Sequence, residues 1–358
     1  MVHAMTRSGS DHTPLIIDSG KHAHLGNKAM FSFELSWLRK EGFYDLITRE
    51  WNSVTTGSSP IERWQNKIRH LRQYLRGWAK NISGEYKKLK QKLILLIDEL
   101  DIKAETSTLT TAECAVKKEA DERMAQLRRD EESKWAQRAK VKHVQEGGNN
   151  TKYFHLIANG KHRKKIIFQL EQDEGTIVGE NNLKVFISEY YKRLFGAPDP
   201  CHFSLEESFI ADLPQITPQE NSILTSVFTE KEVFEAISQM ELNKAPGPDG
   251  FPAEFYQKFW LLIKADLMAM FTQLHCGDLP LFQLNFGVIT LLPKKVDACR
   301  IEQYRPICLL NVSFKIFTKV GTNRVSSIAQ KVIRPTQTAF MPGRNILEGV
   351  VILHETIH

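Results

Sequence analysis

An α+β fold rich in helix is what this chain predicts, and three observations carry the prediction. Apolar residues recur every three or four positions through most of residues 60–146 and again within 182–195, 217–240, 252–276 and 311–333. Only short β-type runs interrupt them, near 166–178 and 288–310. The 358 residues are 42% hydrophobic and 25% charged, a globular balance, and that length suggests two or three domains.

Taken in order, residues 1–30 are rich in His, Gly and Ser, and Leu15–Ile17 is too short to build a core. A dense apolar cluster follows, from Phe31 and Phe33 through Trp37 to Trp51. Pro60 opens a helix carrying Trp64, Ile68, Leu71, Leu75 and Trp78 on one stripe. A second helix is predicted over Tyr86–Ile102, and a third over 111–146, stopped by Gly147-Gly148. Together they suit a helical hairpin or an antiparallel coiled coil. Ile166–Leu170 and Thr176–Val178 suit two short strands joined by the acidic turn 171–175. An amphipathic helix over 182–195 and a Pro-punctuated linker over 197–216 come next.

Thr217-Pro218-Gln219-Glu220 and Thr229-Glu230-Lys231-Glu232 have the form of capping boxes, so a helix is predicted to start at each. Between the second of these and a longer helix from Pro252 lies Asn243-Lys244-Ala245-Pro246-Gly247-Pro248-Asp249-Gly250. Pro246-Gly247 suits a type II turn and Pro248-Asp249-Gly250 a type I turn, with Asp249 serving local hydrogen bonding. The helix from Pro252 carries Phe255, Phe259, Leu262, Leu267, Phe271 and Leu274 and stops at Gly277. Strands at 288–292 and 304–310 flank a basic connection, and a last helix covers 311–333.

The net charge of +6 is unevenly spread. Residues 61–165 hold 25 Lys/Arg against 14 Asp/Glu, a balance that favours a polyanionic partner. The cations of 63–92 and 117–142 suit phosphate contact or simple solvation, and the aromatics among them, Trp64, Tyr74, Trp78 and Trp135, suit a packed core. The five cysteines match no zinc spacing, and their odd number fits a reducing compartment. Met1–Ala29 has no signal-peptide core, so a nuclear or cytoplasmic protein without membrane contact is expected. Lys161-His162-Arg163-Lys164-Lys165 suits a nuclear signal, a phosphate contact or a solvated face.

Two strand ends carry the clearest chemistry. Leu292-Pro293-Lys294-Lys295 closes one strand and Gln303-Tyr304-Arg305-Pro306-Ile307 opens the next, placing cations beside a proline-fixed backbone. Arg binds phosphate through two parallel donors and Lys as a point charge, as a triphosphate site needs. Taken in order, Asn243–Gly250, Pro293-Lys294-Lys295, Tyr304-Arg305-Pro306-Ile307 and Gln337-Thr338-Ala339-Phe340-Met341-Pro342-Gly343-Arg344 resemble the fingers of non-LTR (LINE-type) retrotransposon reverse transcriptases, plant forms included. The resemblance covers about 225–358 closely and 31–224 loosely.

That resemblance implies that Lys294 or Lys295, with Arg305, contacts the incoming triphosphate, and that Phe340, Gly343 and Arg344 lie near the template. It also implies RNA-directed DNA synthesis by the parent protein, Mg²⁺ on catalytic aspartates, and RNA or an RNA–DNA hybrid as partner. Those aspartates are absent here, since the last Asp is Asp297 and no Asp-Asp pair occurs. The palm that carries them is therefore expected after His358 or on another chain, and this chain is expected not to polymerise. His354 and His358 have metal-ligand spacing but no third ligand. Near the start, Ser10-Asp11-His12-Thr13-Pro14-Leu15 resembles the last motif of the endonuclease/exonuclease/phosphatase family, which implies that Asp11 orients His12 at a scissile phosphate.

The expected layout is an endonuclease remnant over 1–30, a basic helical connector over 31–216 and a partial polymerase domain over 217–358. The alternatives are a non-catalytic nucleic-acid-binding module, a helical protein-interaction module, or an inactive retroelement relic.

Overall fold

A computed structural model describes residues 30–139, 167–196 and 214–357, and the backbone of 2–4 and 15–17. The chain forms two compact units: residues 1–56 with 65–164, and residues 57–64 with 165–358.

In the first unit, strands β1 (Val2–Ala4) and β2 (Leu15–Ile17) pair antiparallel. The aromatic cluster predicted from sequence forms the core beside helix α1 (Phe43–Asn52). Phe31, Phe33, Trp37, Phe43, Ile47 and Trp51 are buried there. Trp78 meets Trp37 edge-on with ring centroids 5.5 Å apart, and lies 5.2 Å from Phe43.

Helix α2 (Pro60–Thr106) runs unbroken for 47 residues, about 70 Å at 1.5 Å per residue. Two helices were expected here. Gly84 does not separate them, because a helical glycine costs only about 1 kcal/mol while a helix end forfeits several backbone hydrogen bonds. Helix α3 (Thr111–Ala139) returns alongside, as the expected antiparallel pair. Leu93 packs with Ala120, Met124 and Leu127. The Tyr86 hydroxyl donates to the Leu127 carbonyl at 2.8 Å. Ion pairs Lys90–Glu131, Asp101–Lys117 and Lys103–Glu113 run along the pair in antiparallel order. The remainder of the third predicted helix, 140–146, and Gly147-Gly148 lie outside the described residues.

The second unit holds two strand pairs and the remaining helices. Strands β3 (Gln169–Gln172) and β4 (Gly175–Val178) pair around Asp173-Glu174. The turn is tighter than predicted, because Glu171 and Gln172 join the ladder. Helix α4 (Glu180–Leu194) packs Leu183 and Tyr191 against Leu170 of β3.

Both predicted capping boxes form, at the starts of α5 (Pro218–Leu224) and α6 (Glu230–Ser238). The long helix expected from Pro252 is instead two, α7 (Ala253–Lys258) and α8 (Trp260–His275), divided at Phe259 with φ −103°. Ile263 and Met270 are buried in the core, where Leu262 and Leu274 were expected, beside Phe255, Phe259, Leu267 and Phe271. Helix α9 (Val312–Val332) supplies Phe317, which stacks on Phe271 at 4.3 Å, together with Ile316 and Val320. Strands β5 (Gly287–Pro293) and β6 (Tyr304–Leu310) pair antiparallel, as the sequence predicts. Helix α10 (Ile346–Ile357) buries none of its residues.

Candidate functional site

The β5–β6 hairpin positions the predicted phosphate-binding cations. Its register sets Leu292 opposite Arg305 and Pro293 opposite Tyr304. The Lys294 N–H donates to the Gln303 carbonyl at 2.8 Å, extending the ladder one residue beyond the strands. The basic connection is folded rather than open. The Gln303 side-chain carbonyl accepts from the Cys299 N–H at 2.9 Å, and the Tyr304 hydroxyl donates to the Ala298 carbonyl at 2.8 Å. Arg300 pairs with Asp173 in the β3–β4 turn at 2.9 Å. Tyr304 is buried with Ile301, Leu170, Leu183 and Tyr191.

That anchoring decides where Arg305 goes. Successive strand residues face opposite sides, so burial of Tyr304 sends Arg305 the other way. Arg305 is exposed, on the same side as exposed Ile307 and Leu292. The structure also distinguishes the two lysines. The Lys294 ammonium donates to the Glu302 carbonyl at 2.6 Å. Lys295 is exposed, and among the described residues neither it nor Arg305 pairs with a carboxylate. Two free cations thus mark one end of the hairpin, each next to a residue locked in the anchored connection.

The Asn243–Gly250 loop docks at the other end. The Gly250 N–H donates to the Gly247 carbonyl at 3.0 Å, closing the turn predicted over Pro248-Asp249. Asp249 accepts from the Phe251 N–H at 3.0 Å, the local role expected of it. The type II turn expected at Pro246-Gly247 does not form, since Gly247 lacks the positive φ that it requires. Glycine is needed there for another reason. A Cβ would overlap the backbone of Leu310 and Asn311, where β6 passes into α9. The Asn311 side chain then accepts from the Asp249 N–H at 3.0 Å.

The third motif lies after α9. Phe340 is fully exposed with φ +63°, and Gly343 has φ +76°. A bulky side chain in the left-handed region is uncommon and strained. The Arg344 guanidinium donates to the carbonyls of Arg334, Gln337 and Ile333 at 2.7, 2.9 and 3.1 Å, and to the Gln330 side chain at 3.0 Å. Arg344 therefore braces the turn that projects Phe340.

Sequence reasoning missed the latch between α9 and the two capping boxes. Glu232 receives Arg324 through paired bonds of 2.7 and 3.0 Å, and Glu220 receives Lys331 at 2.8 Å. The Arg324 guanidinium also donates to the carbonyls of Leu224, Ser226 and Val227, and stacks 4.1 Å from the Phe228 ring. It holds the Glu232 carboxyl down at about 2, despite the opposing effect of burial. The Thr-x-x-Glu pattern signals a cap, but nothing local signals that the same glutamate meets a cation 92 residues away.

Asp11, His12 and the run Lys161–Lys165 lie outside the described residues. Among the described residues no group of three or more His, Cys, Asp or Glu is placed to hold a metal ion, so they do not fit the Mg²⁺ site that the resemblance implies. No helix among them is long and apolar enough to cross a membrane.

No protein-family model matches the chain. It is 27% identical over 358 residues, 98% of its length, to the transposon TX1 uncharacterized 149 kDa protein of Xenopus laevis. It is 31% identical over 119 residues, 32% of its length, to the putative 115 kDa protein in type-1 retrotransposable element R1DM of Drosophila melanogaster. The chain spans 27% and 12% of those relatives' own lengths. Its homologues are thus proteins of mobile elements, and the likeness, extending over nearly the whole chain, supports a retroelement-derived protein.

Proposed function

We propose that this chain is part of a non-LTR retrotransposon reverse transcriptase, with residues from about 217 serving as polymerase fingers and the helical segment before them as a nucleic-acid-binding connector. One observation supports this above the rest. The β5–β6 hairpin presents Arg305 and Lys295, without carboxylate partners among the described residues, where the resemblance implies a nucleotide triphosphate. Arg305 would grip phosphate oxygens through two parallel N–H bonds, and Lys295 would add a mobile point charge. Exposed Phe340 offers a ring for stacking on a template base. The parent enzyme's Mg²⁺ would activate the primer hydroxyl and stabilise the leaving group. The described residues do not supply ligands for it, so no catalytic step is assigned to them.

The test is fluorescence-anisotropy titration of the purified chain with a primed RNA–DNA hybrid and a labelled deoxynucleoside triphosphate, followed by addition of Mg²⁺ and nucleotides. Binding without primer extension is expected. Arg305→Ala should weaken triphosphate binding about tenfold or more, the worth of a charge-assisted hydrogen bond. Triphosphate affinity unchanged from wild type in both Arg305→Ala and Lys295→Ala would overturn the phosphate assignment. Primer extension by the pure chain would overturn its non-catalytic part.

A further inference from the structure

Helix α2 carries a second charged surface, remote in sequence from the hairpin. Between Arg63 and Ile97 it holds ten Lys/Arg and a single carboxylate, Glu85, which pairs with Lys88 at 3.0 Å. Arg69, Arg76, Lys80 and Lys87 are exposed, and among the described residues none of the four pairs with a carboxylate. At 100° per residue these four lie within about 40° of one another, in a line about 27 Å long. The buried residues Leu71, Leu75 and Leu93 point well away from that line. Arg72 borders it, with its Nε buried and without a hydrogen-bond partner among the described residues.

We propose that this line of cations is a sequence-independent binding surface for the phosphate backbone of a nucleic acid. Three features choose that partner. The charges recur at steps of seven, four and seven residues along one face of a single helix, which suits a linear polyanion. The apolar residues Leu71 and Leu75 of the same stretch are buried within the protein, so they are not available as the hydrophobic face that a membrane-surface helix needs. Apart from Glu85, which pairs with Lys88, α2 has no carboxylate from Arg63 until Asp98, where it turns acidic and pairs with α3 through Asp101 and Lys117. Cations on phosphate oxygens carry no base information, so the binding would follow charge and not sequence.

The proposal rests on the connector reading above and not on the hairpin assignment, and one experiment separates the two surfaces. Binding of the full chain to a labelled RNA–DNA hybrid and to a single-stranded RNA is measured across a salt series. The variants are Arg76→Gln/Lys80→Gln/Lys87→Gln, the hairpin variant Arg305→Ala, and a control removing three exposed cations elsewhere, Lys192→Gln/Arg193→Gln/Lys258→Gln. Glutamine preserves helix propensity, and circular dichroism checks the fold. Losing three phosphate contacts should flatten the plot of log K against log salt by about 2.7 on the duplex and about 2.1 on the single strand. The control should leave the slope unchanged. An unchanged slope in the α2 variant overturns the proposal, as does an equal loss in the control, which would assign binding to net charge. Equally tight capture of a poly-glutamate peptide overturns the choice of partner. Loss with Arg305→Ala alone would remove the α2 surface and leave the hairpin reading standing.

Discussion

Arg324 is only 7% exposed at its side chain, yet all five of its N–H groups have acceptors. Burying a guanidinium is unfavourable unless each donor and the charge are matched, and here both are. Removing one partner of such a pair strands the other, so Arg324→Met should destabilise the second unit by about 3 kcal/mol. Lys331→Met should cost at most about 1 kcal/mol, because its pair with Glu220 is exposed to solvent. The latch is also pH-dependent. Glu232 has a folded value of about 2, below the ordinary carboxylate value of 4.5. Its contribution is therefore complete above the ordinary value and declines as pH falls towards about 2. Urea midpoints measured over that acid range should converge for wild type and Glu232→Gln. A gap that stays constant would show that titration of Glu232 is not the source.

Helix α2 persists through two glycines, Gly77 and Gly84, and a Cβ at either would meet nothing within 4 Å. Neither position is explained by close packing or by positive φ. Ala at each should add about 1 kcal/mol of helix stability without disturbing the pairing with α3, read as a raised urea midpoint in far-ultraviolet circular dichroism. A lowered midpoint would reveal that the helix needs a weak point there. The β5–β6 hairpin is a different kind of element. Two strands alone are marginal, and this pair depends on Tyr304 and Ile301 packing against Leu170 and Leu183. The phosphate binding proposed for Arg305 would thus depend on a cluster whose members are up to 135 residues earlier in the chain.

At the scale of the whole molecule, apolar surface remains outside both cores. Helix α10 exposes Ile346, Leu347, Val350, Val351 and Leu353, and the hairpin exposes Ile307 and Leu292. Exposed apolar side chains clustered on one short helix favour association where they form a patch. Sedimentation velocity over a concentration series should show wild type associating, and Leu347→Lys/Val351→Lys associating much less. Wild type that stays monomeric throughout would place that surface below the threshold for association.

How much of this was legible beforehand divides by the range of the forces involved. Capping boxes, the hairpin strands, the antiparallel helical pair and the aromatic cluster follow from periodicity and from hydrogen bonds spanning three or four residues, so local sequence determined them. The continuity of α2 and the break at Phe259 could not be read that way. The first rests on a glycine costing less than a helix end, and the second accompanies burial of Ile263 and Met270 in the core. The candidate site divides similarly. Sequence named Arg305, Lys294 and Lys295, but only burial of Tyr304 turned Arg305 outward, and only the Glu302 carbonyl set Lys294 apart from Lys295. Gly247 was recognised as necessary for the wrong reason, since its close approach to Asn311 joins residues 64 apart. Arg324 and Arg344 look like any surface cations until tertiary structure surrounds them with carbonyls. Sequence by itself determined which groups carry charge and where elements begin; tertiary structure decided which charges are consumed within the fold and which remain free for a ligand, because desolvation and pairing depend on neighbours brought in from far along the chain.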